Sequence, residues 1–536
     1  MKKILLLDPG TSFSQGGTRN AVRQAPHIGL ISIAMAIKDL CEVRLLDMPL
    51  QGKNESDLCQ DIRENHYDIV GITAATFNMQ EACEAAAIVK SINPEILTIM
   101  GGPHPNADYR SVFEKTPNVD AAIVGEGEYL MRTLVETHGT PQFTLDLPGI
   151  AFKNKEGEIE FQHITPEYLV PDLDDLPFPD WDFLGIKDYW KRFSYRYDQM
   201  EQLVPISTIR GCPFVCSFCD PNNLTKKLRY RSPENVVQEI ENSIENFNVR
   251  YFYITDSVMT LPKERFRSLC KLIASSGLAE RCAFIGQSNI NSIDEKMLDL
   301  YKEAGGEYIF FGIESGNENV LRLNGKYLKQ ERISRIVDHA HELGLHPRGS
   351  FILGLPYDTE QSILETIEFA WSLKLHSANF FNLDFYPGTS SIELLKEEKA
   401  GFKLPPNGID WKAYVPSRNR AEVTLNGMSP ERQQELREYA MSGKTQCENK
   451  ELDFRQQVNE LNYYAENGLL NREMIKKRYK NILDLKTHVS DKLLEEYKSR
   501  LKQVEHIHKM KHTSNESFGP NLNNFKTLEE AHPVIS

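Results

Sequence analysis

Short apolar runs alternate with amphipathic stretches along the first part of the chain. Five runs are short and apolar, contain β-branched residues and have Gly or Asp at or near their ends, which is typical of buried strands: KKILLLD, EVRLLDM, YDIVGIT, ILTIMGG and DAAIVGE. Helical periodicity separates them, for example over residues 28–40 and 79–92. This alternation predicts βαβ units and an open, doubly wound parallel sheet.

A second alternating series begins near Leu203. Its candidate strands are VPISTIR, RYFYITD, CAFIGQ, YIFFGIE, HPRGSFILG and ANFFNLDF. The first helix between them starts with the N-cap residue Ser232 and Pro233, followed by apolar residues on one face. Six βα units predict a partial (βα)6 barrel, so the whole chain is of the α/β class.

The segments around these two series differ in pattern. A hairpin pattern over 149–163 and a Pro- and Asp-rich stretch over 171–183 connect the series. From about Gly427 charged helical patterns dominate, and the last residues are polar, as is typical of disorder. The predicted division is a first α/β domain over 1–165, a linker over 166–200, the barrel over 201–415, a C-terminal α-helical domain over 416–512 and a disordered tail over 513–536.

The composition narrows the functional classes. The chain has 536 residues and a net charge of −14, so a broad nucleic-acid surface and a nucleic-acid partner are not expected. The apolar run near the N-terminus, Ile4 to Leu7, is too short for a signal peptide, and no later run is long enough for a membrane span. We therefore expect a cytoplasmic protein, in which clustered cysteines serve as metal or redox groups.

Three cysteines lie within RGCPFVCSFCD, residues 210–220, directly after the first strand of the second series. The spacing C-x3-C-x2-C lets three thiolates from one loop bind a cubane iron–sulfur cluster, which four thiolates usually hold. One iron would then keep an open position for a chelating substrate or cofactor. Zinc is the alternative, but the next 20 residues supply no Cys or His, and Asp220 would be an uncommon ligand.

The motif RGCPFVCSFC resembles the cluster loop of the radical S-adenosylmethionine (SAM) enzymes, and the similarity extends over about 203–390. ITDSVMT, FFGIESGNENVL and FILGLP resemble the second-, fourth- and fifth-strand segments of that family. The first domain, with GGPHPN and GEGE, is similar to the Rossmann-like cobalamin-binding domain of one subclass, which includes class B methyltransferases.

The resemblance implies that Cys212, Cys216 and Cys219 hold a [4Fe–4S] cluster whose open iron SAM chelates. An electron from the cluster would cleave SAM to methionine and a 5′-deoxyadenosyl radical, which abstracts a hydrogen atom from substrate. The resemblance also gives candidate SAM contacts: Phe218, Glu314, Ser315, Gln287 and Arg348. For Glu314 the structural alternative is a buried strand-end carboxylate paired with an Arg or Lys. Gln287 and Arg348 end predicted strands and could equally be structural.

Three loops of the first domain follow strands directly and give the cobalamin candidates: Thr73, Thr76, Gly101, Gly102, His104, Gly125 and Glu126. Tight turns that any such sheet requires are the alternative explanation of their glycines. The chain lacks D-x-H-x-x-G, since Asp8 continues as DPGTSF and DMPLQG has no His. We therefore expect no histidine on cobalt and interpret His104 as a loop residue near the corrin.

The function implied is methyl transfer from SAM through methylcobalamin to an unactivated carbon or phosphorus centre of a small molecule. The cofactors would be a [4Fe–4S] cluster, SAM and cobalamin, and an external donor such as flavodoxin or ferredoxin would supply electrons. Alternatives are radical cyclisation or rearrangement without methylation, an enzyme whose sheet domain has lost cobalamin, and a non-catalytic iron–sulfur sensor. Cys447 could be a radical partner or a spectator thiol, and Cys41, Cys59 and Cys83 are interpreted as small core residues.

Overall fold

The computed structural model describes residues 1–10, 26–51, 53–187, 190, 202–219, 227–409, 421 and 423–442. The chain divides into two compact units, the first of residues 1–189 and 202–445, the second of residues 190–201 and 446–536. Apart from Trp190, all described residues belong to the first unit. The predicted helices beyond residue 442, the predicted tail and Cys447 lie outside the described residues.

The first sheet has seven strands: β1 Lys3–Asp8, β2 Glu42–Asp47, β3 Ile69–Thr73, β4 Leu97–Gly101, β5 Ala121–Ile123, β6 Ile150–Lys153 and β7 Ile159–Phe161. Their order is β2-β1-β3-β4-β5-β6-β7, in which the first five are parallel and the last two antiparallel. All five predicted strands are confirmed. The predicted hairpin forms as well, and it extends this sheet beyond β5.

The helices of this part are α1 Ile28–Ile37, α2 Met48–Gln51, α3 Glu55–Asn65, α4 Met79–Ile92, α5 Pro103–Lys115 and α6 Gly127–Thr137. The helix predicted over 79–92 has those bounds, and the one predicted over 28–40 ends three residues earlier. A continuous apolar core forms because α3 and α4 pack their apolar residues against the buried side chains of the sheet. The loops after β3, β4 and β5 therefore gather at one edge of the sheet.

The second part contains β8 Leu203–Ile206, β9 Ile209–Arg210, β10 Arg229–Tyr230, β11 Tyr251–Ile254, β12 Ala283–Ser288, β13 Gly306–Glu314, β14 His346–Leu353 and β15 Ser377–Asn382. Six of these form a parallel sheet in the order β15-β14-β13-β12-β11-β8, which confirms the predicted partial barrel. The predicted strand VPISTIR is divided, because only its first half, β8, joins this sheet. Its second half, β9, pairs antiparallel with β10 in a two-stranded ribbon.

The helices of this part are α7 Pro233–Phe247, α8 Lys263–Ser275, α9 Glu295–Glu303, α10 Glu318–Leu323, α11 Gln330–Glu342, α12 Glu360–Ser372, α13 Ser390–Lys396 and α14 Pro430–Met441. Two short strands, β16 Phe402–Lys403 and β17 Thr424–Leu425, pair antiparallel. As predicted, α7 begins at Pro233, and the Ser232 hydroxyl accepts a hydrogen bond from the Asn235 amide. Within the part of the chain that the structure describes, no helix is long and apolar enough to cross a membrane.

Candidate active site

The three cysteines lie on the loop that the β9–β10 ribbon closes. Cys212 is buried, Cys216 is partly buried and Cys219 is exposed. Apart from a turn near its end, the described part of this loop has no regular secondary structure. The Cys219 amide donates to the Cys216 carbonyl over 3.2 Å, so the last two cysteines are joined by a single tight turn. The first thiol is therefore shielded from solvent, whereas the third faces outward.

A buried asparagine holds the centre of this loop in place. The Asn324 carbonyl accepts from the Ser217 amide over 3.1 Å, and the Asn324 amide oxygen accepts from the Ser217 hydroxyl. The Asn324 side chain also donates to the carbonyls of Val320 and Pro356, over 2.9 and 3.0 Å. It is fully buried, so removing the side-chain amide would take away the hydrogen bonds that it makes with the Ser217 hydroxyl and the Pro356 carbonyl, whereas the backbone bonds to Ser217 and Val320 would remain.

The Cys216 thiol lies near the Cys212 thiol and near two opposite charges. Burial raises the pKa of the Cys216 thiol, the Lys326 ammonium lowers it, and Glu314 and Cys212 raise it further. Among the described residues, no three Cys, His, Asp or Glu side chains are close enough to hold a single metal ion. The ligands of an iron–sulfur cluster need not lie so close together, because each thiolate binds a different iron of the cubane.

Glu314 forms an ion pair beside the cysteine loop. Its carboxylate lies 2.9 Å from the Lys326 ammonium, and both side chains are largely buried. A register irregularity between Gly312 and Glu314 and a φ of +71° at Glu314 turn the end of β13 toward this lysine. A Cβ on Gly312 would lie 2.5 Å from the Glu314 carboxylate, so the pair needs glycine there. The structural alternative for Glu314, a strand-end carboxylate paired with a lysine, thus describes its observed contacts.

The other candidate SAM contacts have different surroundings. Phe218 is partly buried between the last two cysteines. Ser315 is fully buried, with its hydroxyl 2.9 Å from that of Thr366. Gln287 lies near the carboxyl end of β12 and donates to the Asp256 carbonyl over 2.9 Å. These three positions follow or end barrel strands, but the hydroxyl of Ser315 is engaged with Thr366 of α12 and with the Asn317 amide.

The prediction that Arg348 ends a barrel strand was wrong. It is the third residue of β14, in the amino-terminal half, because the strand begins at His346 and continues to Leu353. Its guanidinium lies over the rings of Tyr308 and Phe310, 4.8 and 5.5 Å from their centres. Arg348 is therefore part of a buried aromatic and cationic cluster, separated along the strand from the cysteine loop.

A buried carboxylate fixes the chain where it leaves β8 for the cysteine loop. Asp256 accepts hydrogen bonds from the amides of Thr208 and Ile209, over 2.7 and 2.9 Å, and from the Thr208 hydroxyl over 2.6 Å. Burial raises the pKa of Asp256, while these donors and the nearby Arg265 lower it. The carboxylate thus replaces the sheet hydrogen bonds that the chain loses between β8 and β9.

A cavity lies between the carboxyl edge of the first sheet and the base of the cysteine loop. Its first-sheet side is formed by the start of α1 and by the loops after β3, β4 and β5, and its barrel side reaches Gly211, the residue before Cys212. The lining residues that bear on the site are His27, Thr73, Gly101, Gly102, Gly125, Glu126, Glu128, Arg210, Gly211 and Arg229. The two candidate cofactor sites are therefore adjacent in the fold.

The glycines of this cavity serve two different purposes. A Cβ on Gly102, where φ is +102°, would lie 2.8 Å from the Thr73 hydroxyl, and one on Gly125, where φ is +143°, would lie 2.6 Å from Ile164. Contacts within the protein therefore explain these two glycines. A Cβ on Gly101 would meet only the Ile123 side chain, at 3.9 Å, so this glycine keeps open space at the cavity wall.

Sequence reasoning missed His27, which lines the cavity at the start of α1. Its Nδ1 accepts from the Leu30 amide over 3.1 Å and caps the helix. In the neutral ring the proton is therefore on Nε2, which lies 3.3 Å from the Thr73 hydroxyl. With this tautomer the ring donates at Nε2, and a donor nitrogen cannot also be a metal ligand.

Two of the cobalamin candidates lie behind the cavity wall. His104 was interpreted as a loop residue, which was wrong, because it belongs to the first turn of α5 and is buried. Its ring nitrogens lie 3.1 Å from the Thr76 hydroxyl and 2.7 Å from that of Ser111. Burial lowers the pKa of His104 to about 4. Neither His104 nor Thr76 is among the residues that line the cavity.

Glu126 lines the cavity, but protein donors surround its carboxylate. It accepts from the Val170 amide over 3.0 Å and from Arg229 over 3.1 Å, and lies 3.2 Å from Arg210. Burial raises the pKa of Glu126, but the two arginines and the amide more than offset this, so the net shift is downward. Glu128, also beside Arg210, accepts from the Ser32 hydroxyl over 2.7 Å.

Comparison with known proteins identifies the family whose domains contain the cavity and the cysteine loop. The chain matches the B12 binding domain over residues 16–135 and the Radical SAM superfamily over residues 206–370. The uncharacterized methyltransferase PH0819 of Pyrococcus horikoshii is 30% identical over 395 residues, 73% of this chain and 82% of that protein. The chain belongs to the cobalamin-dependent radical SAM enzymes.

Two further similar proteins are named for different reactions, one as a cyclase and one as a methyltransferase. Anaerobic magnesium-protoporphyrin IX monomethyl ester cyclase of Rubrivivax gelatinosus is 27% identical over 423 residues, 76% of this chain and 74% of the relative. The structure of the radical SAM methyltransferase TsrM from Kitasatospora setae, with cobalamin and a [4Fe–4S] cluster bound, has a TM-score of 0.70 at 16% identity. This match covers 91% of this chain and 100% of the TsrM chain and shows a shared fold.

Membership of this family makes a [4Fe–4S] cluster, SAM and cobalamin the cofactors of the enzyme. The residues fit these groups. Three cysteines on one loop can hold three irons of a cubane and leave the fourth for SAM. The space beside Gly101 can receive a large flat ligand, and His27 lacks the free ring nitrogen that would make it a cobalt ligand.

Several residues that shape the site carried no local sequence signal. Asn324 and Lys326 lie far from the cysteines in the sequence, and their contacts depend on how β13 and α10 pack. Arg210 was in the quoted cysteine motif and Glu128 in GEGE, but nothing in either motif indicates that they pair. The signal that could have suggested this pair is its opposite charges, since one residue lies in each of two motifs that were both expected at the cofactor sites.

Proposed function

We propose that the enzyme transfers a methyl group from SAM, by way of cobalamin, to an unactivated carbon or phosphorus centre of a small molecule. The observation that carries this proposal is the adjacency of the two sites, since the cavity of the cobalamin-binding domain extends to Gly211, directly before the first cysteine. The name of the relative PH0819 as a methyltransferase supports the same reaction.

The chemistry that the cofactors supply is a radical for hydrogen abstraction and a methyl group held on cobalt. The chain supplies positioning and protection. Asp256 and Asn324 hold the cysteine loop at the carboxyl end of the barrel, and the Glu314–Lys326 pair lies beside it. We assign Cys212, Cys216 and Cys219 as the cluster ligands, with Phe218 and Glu314 as SAM contacts. A mouth closed to bulk water protects a reactive intermediate from quenching.

The cavity residues that we assign to cobalamin are Thr73, His27 and Gly101, which all line the cavity. Gly101 leaves space at the cavity wall, since a Cβ there would meet only Ile123. The Thr73 hydroxyl and His27 Nε2 lie on the same wall and offer hydrogen bonds to the polar groups of a corrin or its nucleotide tail. We assign no direct role to Thr76 or His104.

The enzyme also needs an electron for each SAM molecule that is cleaved reductively. Methionine and a 5′-deoxyadenosyl radical form from SAM and one electron, so the oxidised cluster must be reduced again when the radical is consumed. We propose an external one-electron donor of the flavodoxin or ferredoxin type as the partner.

A radical cyclisation without methylation is the second candidate, and the relationship to the Rubrivivax gelatinosus cyclase favours it. The two reactions differ in what becomes of SAM. Loss of the methyl group leaves S-adenosylhomocysteine, whereas reductive cleavage leaves methionine and 5′-deoxyadenosine. Methyl transfer predicts both sets of products, and cyclisation predicts 5′-deoxyadenosine without S-adenosylhomocysteine.

The test uses enzyme reconstituted without oxygen with cluster and cobalamin, a chemical reductant and SAM deuterated in its methyl group. Candidate substrates are offered singly, including magnesium-protoporphyrin IX monomethyl ester, which the name of the cyclase relative suggests. Our proposal predicts a product carrying the deuterated methyl group, with S-adenosylhomocysteine formed in proportion. A converted substrate that carries no label, with 5′-deoxyadenosine as the sole adenosyl product, would establish the cyclase-like reaction instead. The Cys59→Ser variant, on α3 outside both sites, is the control for altered cysteine chemistry.

A further inference from the structure

The β9–β10 ribbon is the base of the cysteine loop. Ile209 pairs with Tyr230 and Arg210 with Arg229, in antiparallel register. All three cluster cysteines lie on the chain between these paired residues. A displacement of the ribbon would therefore displace both ends of the loop together, and with them the position of Cys212, two residues after Arg210.

Both arginines of this ribbon bind the cobalamin-binding domain. Arg210 lies 2.6 Å from Glu128 and 3.2 Å from Glu126, and Arg229 donates to Glu126 over 3.1 Å. Arg229 also donates to the Val170 carbonyl over 2.9 Å, and the Val170 amide donates to Glu126 over 3.0 Å. Two cations and two anions thus form one network, which we call the ribbon network: Glu126, Glu128, Arg210 and Arg229.

The glutamates of the ribbon network are buried, its arginines are partly buried, and all four form part of the cavity wall. The glutamate side chains are 8% and 5% exposed, and those of Arg210 and Arg229 are 24% and 16% exposed. Glu126 immediately precedes α6 and follows Gly125, where the first sheet faces the cavity. All four residues line the cavity, so a ligand there faces both the glutamates and the arginines, and the arginines also carry the two ends of the cysteine loop.

Such a network favours one arrangement of its parts. Removing one partner from a buried ion pair leaves an uncompensated charge, so arrangements that separate these four side chains are disfavoured. A ligand that fits the cavity only when the glutamates are in place stabilises the arrangement that also positions the ribbon. Binding at one site then changes the affinity at the other, and the effect is reciprocal.

We propose that the ribbon network couples the cobalamin cavity to the cluster loop, so that cobalamin and SAM each tighten the binding of the other. Glu126, Glu128, Arg210 and Arg229 are positioning residues in this proposal, and none of them needs to touch the reacting atoms. The proposal rests on the cofactors of the family and not on methyl transfer. An enzyme that cyclises its substrate would show the same coupling.

The experiment measures both binding constants in the reconstituted full-length enzyme, without reductant so that SAM stays intact. The dissociation constant of SAM is determined with and without hydroxocobalamin, and that of hydroxocobalamin with and without SAM. We expect each ligand to tighten the other by the same factor, within the range of about 5- to 150-fold that is typical of coupled sites. Independent binding of the two ligands to the wild-type enzyme would overturn the proposal.

The decisive variant removes one charge of each sign, Arg210→Gln together with Glu128→Gln, so that no buried charge is left alone. It is expected to bind both ligands with a coupling factor near one. Retention of the wild-type factor would overturn the proposal even if both affinities fell. If the double variant does not fold, Arg210→Lys takes its place. This variant keeps the charge but loses the forked contacts to two glutamates, so its coupling factor should lie between one and the wild-type value. Arg132→Gln, which breaks the exposed pair with Asp39, is the matched control and should keep the full coupling.

Discussion

The loops at the carboxyl ends of the two parallel sheets are built in different ways. Around the cavity of the first sheet, Gly102 and Gly125 are packed against side chains of their own domain, and the shape is complete without a ligand. The cysteine loop has little regular structure and one exposed thiol, and its Ser217 donates two hydrogen bonds to Asn324. The first site is therefore defined by packing and the second by ligand chemistry, which the cluster itself must complete.

This difference gives expectations for variants. Changes in the cysteine loop should remove the cluster and leave the cavity intact, and changes at the cavity wall should weaken cobalamin binding and leave the cluster intact. Cys216→Ser and Gly101→Val are measured at both sites, so that an effect on the wrong site counts against the comparison.

The largest effect is expected from Cys216→Ser. Serine oxygen is a poor ligand for the soft irons of a cluster, so bound iron and 5′-deoxyadenosine formation should be lost. Cobalamin affinity, measured without SAM, should stay at the wild-type value. Iron analysis, product chromatography and cobalamin titration check this, with Cys59→Ser as the control that keeps all three. A Cys216→Ser enzyme that still cleaves SAM would contradict the assignment of the cluster ligands.

Asn324→Ala should have the next largest effect. The variant removes a buried amide that joins the cysteine loop to the turn after α10, and the cost should be about 1–3 kcal/mol in the free energy of unfolding. The retained fraction of iron after gel filtration should fall as well, because the centre of the loop is no longer held. Asn246→Ala, on the exposed face of α7, is the control and should change neither quantity. Full iron retention in Asn324→Ala would show that the cluster alone shapes the loop.

Gly101→Val tests the other half of the comparison. A Cβ at position 101 would contact only Ile123, so the free energy of unfolding should change little when valine is placed there. The branched side chain would occupy space at the cavity wall and weaken cobalamin binding roughly tenfold, or about 1.4 kcal/mol. Gly101→Ala should have a smaller effect in the same direction, and the iron content of both variants should equal that of the wild type. Wild-type cobalamin affinity in Gly101→Val would remove Gly101 from the cofactor site.

The variant expected to change the two cofactor sites least lies in the support behind the cavity. His104 has a pKa of about 4 in the folded enzyme, below the value of about 6.5 for an exposed histidine, so the unfolded chain binds more protons between these values. Stability therefore falls as the pH is lowered from 7 to 5, by about 2 kcal/mol from this residue. His104→Gln should lose that part of the acid sensitivity in denaturant titrations at the two pH values, whereas a change at the exposed His163 should not. An unchanged pH dependence in His104→Gln would contradict its burial as a neutral ring.

Much of the fold followed from the sequence because hydrophobic period and β-branched content are local signals. The runs around Leu5, Ile72 and Phe310 specified buried parallel strands, and their alternation with helices specified both sheets. The cysteine motif was equally informative, since its spacing limits what three thiolates can bind.

The errors arose where position depends on neighbouring elements. HPRGSFILG indicated a strand with Arg348 as its third residue, so the expectation that Arg348 ends the strand disagreed with the pattern itself, and the pairing with β13 and β15 confirms a position near the start. The Pro-containing run after Gly102 was interpreted as a loop, although proline is well suited to the first turn of a helix, where α5 begins. The pairing of Glu126 with Arg210 and Arg229 joins three distant segments, and no periodicity encodes such a contact.

The central claim is that three cysteines hold a cluster with an iron open to SAM. Electron paramagnetic resonance of the reduced, anaerobically reconstituted enzyme, recorded with and without SAM, tests it most directly. The account predicts a cluster signal that shifts when SAM is added, and no such signal in Cys216→Ser. A four-iron signal that is the same with and without saturating SAM would mean that no iron is open, and would contradict it.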